Sequence, residues 1–324
     1  MNRLSQCTLC PRRCGVNRLE GGRGFCGAGA IPRVFRSGPH FGEEPPLSGT
    51  SGSGAIFFSH CTMRCLYCQN HPWSQGGRGD DLDVAELTEI FRRLAAKGCH
   101  NWNLVSPTPW LPLIREAVAP LLAEGIRLPF VYNSSGFESV ETLEAYRDLV
   151  DIALVDLRYS RDETALAASA APGYAAAARA ALAWCWRELG PLQVEGDDEI
   201  ASRGVICRLL VLPGRPEEAV ENLRWLADAV GTGVHVSVMS QYTPVYRALR
   251  TPGWNRAIRE DEYGKVTAEM ERLGFDNGWV QGFDSSLPSD LLGQEMPAGE
   301  GSVGAAPWPS GGKGVEQSVL RSAE

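Results

Sequence analysis

Short apolar runs alternate along this chain with longer stretches in which apolar side chains return every third or fourth residue. Runs of the first kind, at 55–59, 101–105, 128–132, 152–157, 204–212 and 234–239, predict strands buried on both faces, which have no polar side to show. Stretches of the second kind predict helices. One starts at Asp83 and carries Leu87, Ile90, Phe91 and Leu94 before Gly98; others cover 113–124, 139–150, 217–230 and 261–273. An alanine-rich stretch at 165–189 is broken by Pro172 and Gly173, and a last short strand is expected near 279–281. Strand and helix in alternation predict an α/β fold with a parallel sheet. Six such units fall short of a closed eightfold barrel.

The flanks read differently. Residues 1–40 hold Cys7, Cys10, Cys14 and Cys26 among glycines and too few apolar residues to fold alone, so a metal is expected to order them. Zinc and an auxiliary iron–sulfur cluster both fit four thiolates, and the sequence does not choose between them. Residues 41–53 lie in a Gly-, Pro- and Ser-rich stretch that reads as an extended connector, with Glu43 and Glu44 as a solvated acidic pair. The barrel-like pattern fills 54–284. Residues 285–324 are small, polar and rich in Gly and Pro, which predicts a disordered tail in which Met296 and Trp308 are solvated.

Composition narrows the class. The chain has 324 residues, 44% of them hydrophobic, and a net charge of −8, which argues against nucleic-acid or anionic-membrane binding by the whole protein. No apolar run approaches the roughly 20 residues of a membrane span. Residues 1–6 carry no apolar secretory core, and ten cysteines at metal-like spacings indicate a reducing compartment, so the expected location is the cytoplasm. Residues 1–40 carry seven arginines against the single acid Glu20. Arginines beside thiolates favour the ionised sulfur, which is the simplest account of them; docking of RNA or an acidic protein is the alternative.

The densest chemistry lies at 61–70, CTMRCLYCQN. Cys61, Cys65 and Cys68 cannot close a tetrahedral zinc site by themselves, but they can hold three irons of a cubane cluster and leave the fourth open. His60, next to the first thiol, is read as a loop neighbour outside the metal set. The spacing C-x3-C-x2-C after a strand, with Tyr67 before the last cysteine, resembles the cluster motif of the radical SAM superfamily. That resemblance implies a [4Fe–4S] cluster and S-adenosylmethionine, cleaved reductively to a 5′-deoxyadenosyl radical that abstracts hydrogen. It also implies a partial (β/α)6 barrel with its site at the C-terminal ends of the strands. A zinc-braced binding protein engaging RNA or an acidic partner is the rival of a different class.

Polar residues at those strand ends are the further candidates: Ser106 and Thr108, Asn133, Asp156 with Arg158, Arg208, and 240–242. Each has a plain structural reading: Asn133 as a turn cap, Asp156 with Arg158 as an ion pair. The segments CPRRCGVNR, EEPPLSG, NLVSPTP, VYNSSG, VDLRY, LVLPG and MSQYTP, from Cys7 to about Gly282, resemble the pyruvate formate-lyase activating-enzyme-like branch. The likeness implies that Asp156 and Arg158, at the place of a D-x-K segment, contact S-adenosylmethionine, with Ser106, Thr108 and Asn133 near it. Arg158 stands where the branch has lysine, which exchanges a point donor for a planar fork. The branch's Gly-Gly-Glu segment is replaced at 105–108, and Asn133 takes the place of an aspartate. The implied partners are a glycyl radical enzyme or a small substrate, and a reductant such as flavodoxin or ferredoxin.

Overall fold

The computed structural model describes residues 3–283 and 317–320. Its centre is a parallel run of strands in the order Ser53–Phe58, Trp102–Val105, Phe130–Ser134, Ile152–Asp156, Ile200–Leu210, His235–Met239 and Gly278–Gln281. Spatial and chain order coincide, as they do when each strand returns through a helix on one side. Arg33–His40 pairs antiparallel with Ser53–Phe58, and Gln317–Leu320 pairs antiparallel with Gly278–Gln281. Among the described residues no pairing joins the two ends, so the sheet is the expected partial barrel, left open. No described helix is long and apolar enough to cross a membrane.

Local chemistry sets the helix boundaries. Asp83 caps helix Val84–Ala96 by accepting from the Glu86 amide at 2.8 Å, and Glu86 accepts from the Asp83 amide at 2.7 Å. The two bonds satisfy amides that no helical carbonyl reaches. Leu87, Ile90, Phe91 and Leu94 are buried along one face, as their spacing requires. The alanine-rich stretch divides into Asp162–Ser169 and Tyr174–Leu189, parted at the Pro-Gly pair where Gly173 adopts φ 70°. Gly136, after strand Phe130–Ser134, has φ 81°, and a Cβ there would stand 2.2 Å from the Asp156 carbonyl. Gly136→Ala should therefore cost about 2–3 kcal/mol, read as a fall in the urea midpoint; an unchanged midpoint would contradict this packing.

The sheet has two apolar faces. A large core lies between strands and helices and includes Trp102, Leu104, Phe130 and Tyr132. A smaller one fills the lumen with Leu47, Val131, Ile152, Leu154, Ile206 and Trp279. Side chains alternate along a strand, so Asn133, Asp156 and Arg208 share that inner face, further toward the strand ends.

Two regions depart from the sequence reading. Arg33–His40 is a strand, and Pro45–Ser48, within the expected connector, is a short helix. His40 pairs with Ser53 at the N-terminal end of the first barrel strand, so residues 41–52 cross the floor of the barrel. Leu47 enters the inner core from there, and Asn101 donates to its carbonyl at 2.9 Å. Glu43 and Glu44 are buried in the lumen rather than solvated, because Arg208 donates to both carboxylates. The segment read as a disordered tail lies outside the described residues at 285–316 and 321–324, with Met296 and Trp308 among them. Its residues Gln317–Leu320 form a strand, using the backbone groups that the edge at Gly278–Gln281 leaves open.

Candidate active site at the strand ends

The loop 59–70 leaves the first barrel strand over the open end of the lumen. Its path is fixed by backbone bonds: the Arg64 amide donates to the Ser169 carbonyl at 2.9 Å and the Leu66 amide to Ala168 at 2.8 Å. The Leu66 carbonyl accepts from the Ala248 amide at 2.9 Å, and Gln75 donates to the Cys65 carbonyl at 2.8 Å. Gln69 donates to the Gln241 carbonyl at 3.2 Å, which ties the loop to the end of the sixth barrel strand. Tyr67 is buried, stacks on Trp254 at 5.4 Å and shares a hydrogen bond with Tyr159.

The three loop thiols are free and mutually influential. Burial, with Cys65 nearby, pushes the Cys61 thiol up to about 12, and the same causes push Cys68 up to about 11. Two thiols so raised resist ionising unless cations sit among them, which iron would supply. Positive side chains already approach. Arg158 donates to Cys65 Sγ at 3.2 Å while pairing with Asp156, and the Arg12 guanidinium feels Cys61. Among the described residues no three His, Cys, Asp or Glu side chains gather as the ligands of one ion would. A cubane asks for something else, because each thiolate binds a different iron and the sulfurs stand around a body rather than a point. The residues present fit such a cluster.

Beneath the loop, charges alternate down the lumen. Arg158 pairs with Asp156, whose strand neighbour is Arg208. Arg208 in turn holds Glu44 at 2.5 Å and Glu43. Asn103 and Asn133 donate to Glu43 Oε1 at 2.9 and 3.4 Å. Burial alone would raise the Glu43 carboxyl, but Arg208 and His40 beside it hold it below its ordinary value. Asn133, Asp156, Arg158 and Arg208 thus lie on one column between floor and thiol loop. Ser106 follows the second barrel strand at φ 59°, its amide donating to the Asn133 carbonyl at 2.9 Å. Thr108 is placed elsewhere: its hydroxyl donates to buried Glu138 at 2.6 Å, and its side chain lines a cavity shared with the N-terminal thiols. His60 turns to the same side, with Nδ1 3.0 Å from the Cys26 carbonyl.

Glu138 was not singled out by the sequence. Burial raises its carboxyl to about 7 despite hydrogen bonds from Ser134, Thr108 and Tyr132. Between the ordinary carboxylate range and about 7 the folded chain keeps a proton that the unfolded chain has released, so stability falls as pH rises through that window. Glu138→Gln, neutral at every pH, should remove about 3 kcal/mol of that slope. Melting temperatures between pH 4.5 and 8 test it; parallel curves for the two proteins would refute the assignment.

A loop of three thiols thus lies over a charged lumen at the C-terminal rim of an open α/β barrel. Residues 55–185, which include the thiol loop and the Asp156–Arg158 pair, match the family model described as the radical SAM superfamily. A [4Fe–4S] cluster and S-adenosylmethionine are the cofactors of such a domain, and its enzymes need an electron donor and a substrate. A Methanocaldococcus jannaschii protein, MJ0674, is 27% identical over 286 residues, which cover 85% of this chain and 77% of that one. Among solved structures, SuiB of Streptococcus suis aligns with a TM-score of 0.44 and 11% identity over 68% of this chain and 47% of its own. The structure of anSMEcpe with bound AdoMet aligns with a TM-score of 0.44 and 9% identity over 65% and 57%. The chain spans about half the length of these two.

Proposed function

We propose that Cys61, Cys65 and Cys68 hold a [4Fe–4S] cluster with one open iron, and that the protein is a radical enzyme that cleaves S-adenosylmethionine. The observation that carries this reading is the crowding of three free thiols on one loop, with Arg158 donating to Cys65 Sγ. When bound, the cluster supplies an electron to the sulfonium and so a 5′-deoxyadenosyl radical for hydrogen abstraction. The chain's own residues provide position and shielding. Asp156, Arg158, Asn133 and Ser106, at the rim, are the groups we assign to the methionine and ribose parts; Thr108, occupied by Glu138, is left out of that set. The floor segment with Glu43, Glu44 and Leu47 closes the lumen from below and keeps water from entering there.

The likeness to the activating-enzyme-like branch supports a finer reading, abstraction from a backbone glycine of a glycyl radical enzyme, with flavodoxin or ferredoxin in a reducing cytoplasm as electron donor. Action on a small molecule is its rival. Deuterium carried from a labelled glycyl loop into 5′-deoxyadenosine supports the first; transfer only from small molecules refutes it. The broader reading predicts that anaerobically reconstituted protein with dithionite and S-adenosylmethionine forms 5′-deoxyadenosine, and that Cys65→Ser forms none. A fully loaded wild-type protein that leaves S-adenosylmethionine intact would overturn it.

A further inference from the structure

Of the seven cysteines outside that site, four meet at one cavity. We propose that Cys7, Cys10, Cys14 and Cys26 hold a second, polynuclear iron–sulfur cluster, packed against the loop that carries Cys61. The four thiols line one cavity, although they come from both arms of a segment with no helix and little strand. They are free, so no disulfide accounts for their meeting.

The backbone is shaped around them. The Cys7 amide donates to the Val16 carbonyl at 3.0 Å, and the Gly15 amide donates back to Cys7 at 2.9 Å, closing a tight loop that carries three of the thiols. Gly24 lies against the fourth side: a Cβ there would stand 2.6 Å from Cys14 Sγ, so no side chain fits between the arm bearing Cys26 and that thiol.

The knuckle is fastened to the barrel at the thiols themselves. Arg12, between Cys10 and Cys14 in sequence, donates to the Thr62 carbonyl at 2.9 Å and to the Ala170 carbonyl, and packs its guanidinium 3.4 Å from the centre of the Phe25 ring. Arg18 is buried and donates to the Pro109 carbonyl at 2.5 Å. His60 meets the Cys26 carbonyl. Arg12 and Arg18 also line the cavity, where their charge offsets that of thiolates. A loop poor in apolar residues that nevertheless brings four thiols to one cavity is what metal-ordered segments look like.

Four thiolates around one cavity suit a cubane, each sulfur taking a separate iron, and zinc, which would draw them to one point, is the outcome the experiment sets against it. With all four irons covered, such a cluster has no open corner, unlike that at Cys61, Cys65 and Cys68. Each site is read by its own variants, so the two proposals fail separately.

Full-length protein reconstituted anaerobically with ferrous iron and sulfide should hold about eight irons per chain, two cubanes. The triple variant Cys61→Ala, Cys65→Ala, Cys68→Ala should keep about half that iron, with a paramagnetic signal that S-adenosylmethionine does not change. Cys7→Ser with Cys10→Ser should keep the other half, with a signal that does respond. Should the paired variant fail to fold, Cys14→Ser, at an exposed position, still changes one ligand and should alter only the unresponsive signal. About four irons in the wild type, an iron-free triple variant, a Cys14→Ser signal identical to wild type, or one zinc per chain retained at these thiols would each overturn the inference. Two clusters with no response to S-adenosylmethionine in any protein would leave it standing and sink the radical reading instead.

Discussion

Arg208→Met should lower the stability of the protein by about 3–5 kcal/mol, because it strips a buried pair of carboxylates of their cation. Glu43 and Glu44 have side chains only 7% and 2% exposed, and Arg208 bonds both. Methionine fills much of the same volume, so packing loss is small and the effect isolates the charge. Glu43 retains hydrogen bonds from Asn103 and Asn133, which do not neutralise it. The sign with pH follows. Arg208 helps hold the folded Glu43 carboxyl below its ordinary value, so its contribution is complete above the ordinary carboxylate range and is lost as pH falls through the folded value. In Arg208→Met that carboxyl should rise, and the variant should recover part of its deficit on mild acidification. The triple variant Arg208→Met, Glu43→Gln, Glu44→Gln should regain most of the lost stability at neutral pH. Urea titrations of the three proteins measure this, and a deficit under about 1 kcal/mol in the single variant would show that water reaches the pair.

The floor that this experiment probes was the least legible part of the chain. Glu43 and Glu44 sit beside two prolines in a run of glycine and serine, and composition there says only that no long helix forms. What buries them is Arg208, more than 160 residues away, and no local pattern encodes that partner. The strand Arg33–His40 was hidden for a related reason. Its Ser37, Gly38 and Pro39 weaken any strand pattern, and it survives by pairing with Ser53–Phe58 at a margin where a proline's missing amide does little harm. Glu138 could have been suspected from one sign, an acid four residues beyond a buried strand in NSSGFE, with hydroxyls near enough to satisfy it. By contrast, the barrel strands were plain because each is covered on both faces and so reads as an unbroken apolar run. The thiol loop was plain because its chemistry is local: three ligands lie within eight residues. The sequence marks Asn133, Asp156, Arg158 and Arg208 as strand-end residues of one rim. Only the alternation of side chains across a curved sheet makes them one column, and only the fold takes Thr108 out of it.

That column makes Arg158 the residue whose loss should most change the chemistry while leaving the fold intact. Its fork is divided, with one nitrogen on Cys65 Sγ at 3.2 Å and two on Asp156 Oδ2. On the reading proposed above, it draws electron density from a cluster thiolate, so removing it should make the cluster harder to reduce and shift its midpoint potential in the negative direction. Arg158→Met should therefore form 5′-deoxyadenosine about 10–100-fold more slowly at a fixed reductant potential, with its iron content unchanged. Arg158→Lys separates charge from geometry. Lysine keeps the positive charge, and the branch carries lysine at this place, but one ammonium cannot span Cys65 and Asp156 as a planar fork does. If charge governs reduction, the lysine variant should restore the potential more fully than the rate; if bridging governs it, neither recovers. Potentiometric titration followed by paramagnetic resonance, beside the rate assay, distinguishes the two. Arg158→Met with wild-type potential and wild-type rate would mean that the contact with Cys65 Sγ plays no part once the cluster is in place.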